Sequence, residues 1–463
     1  MRENPLGSEK ISSLLKTFAI PSITATLVGS LYNIVDQVFI GQGVGYLGNA
    51  ATNVSYPLST ICLAISLLIG IGSASRFSIY LGQNEPKHAA TLVGNGIVLM
   101  VIAGILYLLL GEGFLSQLLW VFGATDEVMP FARQYAGITL LGMPFLILTN
   151  GISNLIRADG SPKYSMVCMV AGAIANTILD PIFIFAFQWG VFGAALATIL
   201  GQILSFLLAL RYLWHFRTVT LTKDCFKIQV RDTFRTLYMG TSSCLNQIAI
   251  TIVQIVLNHS LTYYGALSVY GQEIPLAACG IVMKTNAILL SIIVGISQGV
   301  QPIIGYNFGA NHYARVQKTF HIASLIAVGI SVVWFLIFMV FPRQIASCFV
   351  SDNALYLDCA QHCFRLYMLA FFLYGLHMTS ASFFQGIGRP GKSLLIPLAR
   401  QGCFLIPLAL LLSRSFGLDG ALLAAPIADA LAFLLCLLLA RWEFRSWRRK
   451  GWLCKGERKY RAS

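Results

Sequence analysis

The chain has 463 residues, of which 57% are hydrophobic and only 11% charged. Soluble domains carry about 25% charged residues, so this composition excludes an ordinary soluble protein. The formal net charge is +14, but most of the basic side chains lie before the first apolar segment, in alternate loops and after the last segment. This placement is typical of cytoplasmic loops of membrane proteins and argues against nucleic acid as a partner.

Twelve apolar segments follow one another along the chain, and each is long enough to span a bilayer as an α-helix. Strands of a membrane barrel need only about ten residues, so these segments are too long for that fold. The predicted fold class is therefore an all-α integral membrane protein with no separate soluble domain. The predicted spans are 12–40, 52–81, 90–111, 131–156, 163–188, 191–214, 233–262, 274–306, 316–341, 362–385, 393–413 and 418–442.

Loop charges predict the orientation and the domain boundaries. Basic residues are dense in the central connection 215–232 and in the tail 445–463, whereas the opposite loops are mainly acidic. Both termini and the connection are therefore expected in the cytoplasm, with the tail near anionic lipid headgroups. Six spans in 1–214 would form an N-lobe and six in 233–444 a C-lobe. Met1 to Lys16 carries charges of both signs and lacks the pattern of a signal peptide.

Glycine motifs recur at a nearly constant separation, which indicates an internal duplication. The matched positions, 227 or 228 residues apart, are Gly72 and Gly299, Gly82 and Gly309, Asn84 and Asn311, Gly160 and Gly388, and Gly190 and Gly417. Because each half contains an even number of spans, both halves cross the membrane in the same direction. Repeats related by an axis along the membrane normal are typical of secondary transporters.

The fifth span contains a carboxylate in an almost wholly apolar stretch. An ionised acid in the bilayer costs several kcal/mol, so Asp180 is expected to face protein or water and to be functional. Asn176 lies one helical turn earlier, on the same face. Pro181 lacks an N–H, which leaves the carbonyl of Thr177 without its helical donor. These oxygens are the ligand type that a small hard cation prefers.

Two further polar residues lie at a depth similar to that of Asp180. Asp36 in the first span and Thr198 in the sixth are both roughly 8–12 Å below the outer surface by the helical rise. All three belong to the first half of the chain, so convergence on one site is expected. Asn33 and Gln37 lie within one turn of Asp36 and are secondary candidates.

Five segments together resemble the multidrug and toxic compound extrusion (MATE) family, and in particular its MepA-like bacterial branch. They lie at 33–41, 157–165, 176–185, 190–202 and 298–316, and the resemblance spans about residues 10 to 440. It implies a V-shaped two-lobe transporter of the bacterial plasma membrane that exports cationic amphiphilic drugs or dyes in exchange for H⁺ or Na⁺. It also places the coupling-cation site on Asp36, Asn176, Asp180 and Thr198.

Four other residues within or beside the spans are candidates for further roles. Pro21 in the first span is a candidate hinge, because the same span carries Asp36. Asp429 in the last span replaces Gln202 of the repeat, and it is either a packing residue or a second functional acid. Arg400 is expected to extend to the membrane surface. Lys284 is a lone base whose pairing with Glu273 stays open.

Several alternatives compete with a transporter. The sequence lacks a phosphate-binding loop, a metalloprotease motif and a serine elbow, so an enzyme is not expected and an ion gradient must supply the energy. No cofactor and no metal other than Na⁺ is expected, and the protein is expected to be a monomer. A flippase for a lipid-linked precursor is the main alternative, although it would favour a cationic cavity. A membrane transferase or a channel fits the repeat poorly.

Overall fold

The computed structural model describes residues 4–271, 273–347 and 354–453, and all regular secondary structure in these ranges is helical. A chain in hydrocarbon must satisfy its backbone hydrogen bonds internally, which a helix does within each segment. Of the predicted tail 445–463, the described part ends at residue 453.

The first half contains six long helices, α1 to α6. Their bounds are Ile11–Val44, Tyr46–Gly82, Pro86–Gly113, Met129–Ala158, Pro162–Pro181 and Gly190–Leu213, with a π-helical turn at Ile182–Ala186 extending α5. Short helices occupy Pro5–Ser8, Leu115–Val121 and Lys223–Phe226.

The second half contains α7 at Val230–Ala266, α8 at Glu273–Gly309 and α9 at Tyr313–Val340. A short helix at Pro342–Ser347 precedes α10, which comprises Ala354–Tyr367, Phe371–Leu373 and Tyr374–Gly386 and bends by 41°. The last helical run comprises Pro390–Leu398, the π-helical Ala399–Leu405 and Ile406–Arg449, and Gly417 divides it into α11 and α12.

The division at Gly417 accounts for the number of spans. Ten helices of the described residues are long and apolar enough to cross a membrane, and the bent α10 makes an eleventh. The run Pro390–Arg449 has 60 residues, or about 90 Å at the helical rise, three times the hydrocarbon thickness. Gly417 breaks it with φ 59° and ψ −130°. The predicted all-α membrane fold with twelve segments is thus confirmed.

The duplication read from the sequence recurs in the backbone. Matched residues of the two halves adopt the same left-handed conformation, which only glycine and, less often, asparagine tolerate well. The φ values are 62° and 60° at Asn84 and Asn311, 87° and 71° at Gly160 and Gly388, and 55° and 59° at Gly190 and Gly417. The chain therefore makes the same turns at corresponding points of both halves.

The two halves meet where α2 crosses α8, at the ends of these helices. A Cβ at Gly82 would lie 2.0 Å from the carbonyl oxygen of Tyr306, and one at Gly309 would lie 2.1 Å from that of Ile79. Any side chain at either position would force the backbones apart. The repeated glycines therefore serve close packing between the halves.

Hydrogen bonds between the halves run from this crossing to about the middle of the helices. Gln301 Nε2 donates to Ser75 Oγ at 2.6 Å, and Thr26 Oγ1 donates to the Ser291 carbonyl at 2.7 Å. Arg76 pairs with Asp232 at 2.8 Å, and both side chains are buried. The joined end of the molecule is the one where α1 begins and where the connection between the halves lies.

The first helix belongs to both halves. Leu14 and Phe18, near its start, are buried in one cluster with Ile296 and Val300 of α8. Asp36, near its other end, lies among residues of the first half. A bend within α1 would therefore move one half relative to the other.

Candidate ion-coupling site

The backbone near Asp180 departs from α-helical geometry, as its proline predicts. Residues Ile182–Ala186 form a π-helical turn, and the Phe187 N–H donates to the Ile182 carbonyl at 3.0 Å. Such turns occur frequently at functional sites. Asp180, just before the turn, is fully buried.

Asn176 joins Asp180 to α6. Its Nδ2 lies 3.3 Å from Asp180 Oδ1 and 3.4 Å from the hydroxyl oxygen of Thr198. With the amide turned over, the nitrogen donates to Asp180 Oδ2 at 3.2 Å and the oxygen accepts from the Thr198 N–H at 3.2 Å. The second orientation satisfies both ends of the amide, and either one holds α5 against α6.

Asp36 approaches the same cluster from α1. Its carboxyl group lies within hydrogen-bonding distance of Asp180, and its Oδ1 has no donor among the described residues. Two ionised carboxylates this close repel each other in surroundings that already penalise charge. A shared proton or a bound small cation removes both costs. The structure therefore brings together the four residues that the resemblance singled out: Asp36, Asn176, Asp180 and Thr198.

Two tyrosines, which the sequence analysis did not identify, lie beside this cluster. Tyr135 of α4 lies close to Thr198 and to both acids. Tyr32 of α1 also lies near Asp36 and Asp180. Tyr32 precedes Asp36 by one turn, so helical spacing could have identified it. Tyr135 is on a separate helix, and no local pattern in the sequence indicates its position.

The secondary candidates of the first half lie less centrally. Asn33 is exposed and donates to the Gly29 carbonyl of its own helix at 2.7 Å. Gln37 is half-buried and forms no hydrogen bond with the cluster residues that the structure describes. Pro21 is buried within α1, which continues through it from Ile11 to Val44. Its role as a hinge stays a prediction.

The second half holds a different charged group. Arg400 Nε donates to Asp429 Oδ1 at 2.5 Å, and both side chains are more than nine-tenths buried. The expectation that Arg400 extends to the surface is therefore wrong, because a buried partner compensates its charge. Lys284 is exposed, and the side chain of Glu273 lies outside the described residues. Asp429 is thus part of a neutral pair.

A duplicated helical bundle with a buried acidic pair in one half is the arrangement of a secondary membrane transporter. The chain belongs to the MatE family, whose model matches residues 21–182 and 242–411.

Known proteins of similar sequence and fold agree with this family assignment. The chain is 26% identical over 424 residues to the multidrug export protein MepA of Staphylococcus aureus (strain N315), covering 91% of this chain and 92% of MepA. An outward-facing MATE family multidrug resistance transporter superposes with a TM-score of 0.89 at 23% identity, covering 96% and 98% of the two chains. A MATE structure in complex with MaL6 gives 0.90 at 23% identity, covering 97% and 100%.

Proposed function

We propose that this protein is a secondary active multidrug exporter that carries cationic amphiphilic compounds out of a bacterial cell in exchange for H⁺ or Na⁺. The observation that carries the proposal is the contact between Asp36 and Asp180, with Asn176 and Thr198 beside them. A buried pair of acids that must be neutralised by a cation is a means of coupling to an ion gradient. Relatives named as multidrug export proteins support the drug as cargo.

The orientation proposed from loop charge indicates which conformational state of the transport cycle the structure represents. If both termini and the connection 215–232 face the cytoplasm, the contacts between the halves close the cytoplasmic side. The space between the N-lobe (1–214) and the C-lobe (233–444) then opens outward. In this state external ions reach the acidic cluster, and a bound drug can leave.

The cycle begins when H⁺ or Na⁺ binds between Asp36 and Asp180. Neutralisation removes their repulsion and the penalty for packing charge against apolar helices. The part of α1 after Pro21 can then change its packing while Leu14 and Phe18 stay in the α8 cluster. Bending at Pro21 would transmit the change to the lobe contacts, the drug would leave, and the lobes would rock inward. One chain contains both lobes, so a monomer suffices.

The donor set suits either ion. Two carboxyl groups, an amide oxygen and a hydroxyl supply hard oxygen ligands of the kind that Na⁺ takes, and the acid pair alone can hold a proton. Purified protein in liposomes would receive a pH gradient or a Na⁺ gradient separately. We expect one gradient to drive concentrative export of ethidium in the wild type and neither to do so in Asp36→Asn.

Each outcome of that experiment bears on the proposal. Export driven by neither gradient in the wild type would contradict it, and so would undiminished export in Asp36→Asn. A flippase for a lipid-linked precursor, the alternative class, would move a labelled polyprenyl-phosphate lipid instead of the dye. The pairing of the buried Arg400 with Asp429 gives such an anionic headgroup less uncompensated positive charge to bind.

A further inference from the structure

A cavity of about 280 Å³ lies at the joined ends of the two halves. The end of α2, the first turns of α7 and the turn between α10 and α11 form its walls. A Cβ at Gly388 in that turn would lie 3.4 Å from Cδ1 of Ile79 in α2, so the two halves touch beside the cavity. Its polar and charged lining residues are Arg76, Tyr80, Gln83, Arg235 and Tyr238.

The positive charge of this cavity is only partly compensated. Arg76 is buried and donates to the carboxylate of Asp232 at 2.8 Å and to its carbonyl oxygen at 2.9 Å, so these two residues form a neutral pair. Arg235 is exposed and forms no hydrogen bond or ion pair with any residue of the described ranges. A guanidinium can bind a phosphate through two parallel hydrogen bonds. Arg235 therefore gives the cavity an unused anion-binding group.

Other hydrogen-bond donors of the cavity also lack partners. The side chains of Gln83 and Tyr238 form no hydrogen bond within the part of the chain that the structure describes. The Tyr238 hydroxyl oxygen lies 3.6 Å from the position of a Cβ at Gly391, in the first turn of α11. α11 begins at Pro390, and the preceding Arg389 side chain forms no capping hydrogen bond. Because the N-terminus of a helix attracts anions, this helix end adds to the attraction of the guanidinium for a phosphate.

The surroundings of the cavity favour a lipid as the source of the phosphate. Phe234 and Tyr238 lie one turn apart on α7 and are both exposed, and exposed aromatic residues are typical of membrane helices at the depth of the headgroups. Ile79, Met239 and Pro390 give the cavity an apolar wall, which suits the glycerol part of a lipid better than a free ion. Small-molecule sites have volumes of about 300–1,000 Å³, so a cavity of this size admits a headgroup whose acyl chains stay in the bilayer.

We propose that this cavity binds the phosphate headgroup of an anionic phospholipid, with Arg235 as its principal contact. The site lies at the opposite end of the helices from Asp36 and Asp180, and it goes beyond the proposed drug export. A zwitterionic headgroup carries its own cation next to the phosphate, and Arg235 repels that cation. The site therefore prefers a headgroup with a net negative charge. Because α2 and the turn between α10 and α11 belong to different halves, a bound headgroup contacts both.

The test measures lipid binding to the purified full-length protein in neutral detergent by native mass spectrometry. We expect the wild type to bind one phosphatidylglycerol about tenfold more tightly than phosphatidylcholine and than any further phosphatidylglycerol. Arg235→Gln should weaken the binding of that first phosphatidylglycerol about tenfold, the loss of one charged hydrogen bond. Its binding of phosphatidylcholine should change by less than about twofold.

Arg231→Gln is the matched control. Arg231 is an exposed arginine one turn earlier on α7, and it does not line the cavity. Both variants remove the same charge, so equal weakening in the two would show a general attraction of α7 for anionic lipid and would overturn the proposal.

Two further outcomes would also overturn the proposal. Inorganic phosphate in large excess should leave phosphatidylglycerol bound, and its displacement would exclude a lipid as the preferred occupant. Should Arg235→Gln not fold, the wild type still decides, because equal affinity for the anionic and the zwitterionic lipid contradicts the site. No ion gradient and no drug are present in these measurements, so their result is independent of whether the protein exports drugs.

Discussion

Replacement of Asp180 by asparagine tests the coupling site most directly. The two side chains are nearly isosteric, and the new amide can still form a hydrogen bond with Asn176, which lies 3.3 Å from Asp180 in the wild type. The substitution removes one of two adjacent buried charges, so the folded state loses repulsion and gains no unpaired ion. We therefore expect normal folding and normal amounts of protein in the membrane.

We expect Asp180→Asn to lose the coupling between ion and drug movement. The size of the expected effect follows from the free energy stored in the ion gradient. A tenfold ion gradient stores about 1.4 kcal/mol, which in a one-for-one exchange sustains about a tenfold concentration ratio of the drug. In Asp180→Asn only one carboxylate of the pair is left to bind and release the coupling cation. The drug concentration ratio across the membrane should therefore fall to about one. Ethidium movement in proteoliposomes with an imposed pH or Na⁺ gradient measures this ratio.

Asp224→Asn provides the control. Asp224 lies in the central connection, its side chain is 82% exposed, and it contacts only Lys227 at 2.9 Å in the described structure. This variant should sustain the wild-type ratio. A wild-type ratio in Asp180→Asn, at equal protein level, would refute the assignment of Asp180 to coupling.

Three further substitutions have distinct expected results. Asn176→Ala should weaken ion binding by about 1–2 kcal/mol, because it removes neutral hydrogen bonds. The ion concentration for half-maximal dye release measures this change. A complete loss of ion-driven dye release would contradict a supporting role for Asn176. Gly82→Ala should impair export, because the new Cβ would lie 2.0 Å from a backbone oxygen of the other half. Gly329→Ala is the control, because a Cβ there has no neighbour within 4 Å, and it should export normally. Equal export by the two variants would refute the packing argument. Asp429→Asn leaves Arg400 buried without its charged partner, and it should lower the free energy of unfolding by about 3–5 kcal/mol. Thermal or denaturant unfolding measures this change. Unchanged stability would contradict the interpretation of Arg400 and Asp429 as a charge-compensated pair.

The sequence by itself determined the helices and the duplication. Apolar runs longer than a bilayer's hydrocarbon core predict helices because a helix satisfies its backbone hydrogen bonds within one segment. The repeat was visible because the positions that need glycine or asparagine, such as Asn84 and Asn311, recur at a constant separation. Asn176 and Asp180 were also readable as neighbours, since residues four apart share a face of one helix.

The tertiary structure decided which helices bring their polar groups together. Tyr135 joins the acidic cluster from α4, and Asp429 meets Arg400 across 29 residues of chain. Neither contact has a local signal, because it depends on the rotation and tilt of two separate helices. The same holds for the crossing of α2 and α8 at Gly82. Backbone hydrogen bonds are local and follow from the sequence, whereas side-chain partners between helices depend on how the whole bundle packs.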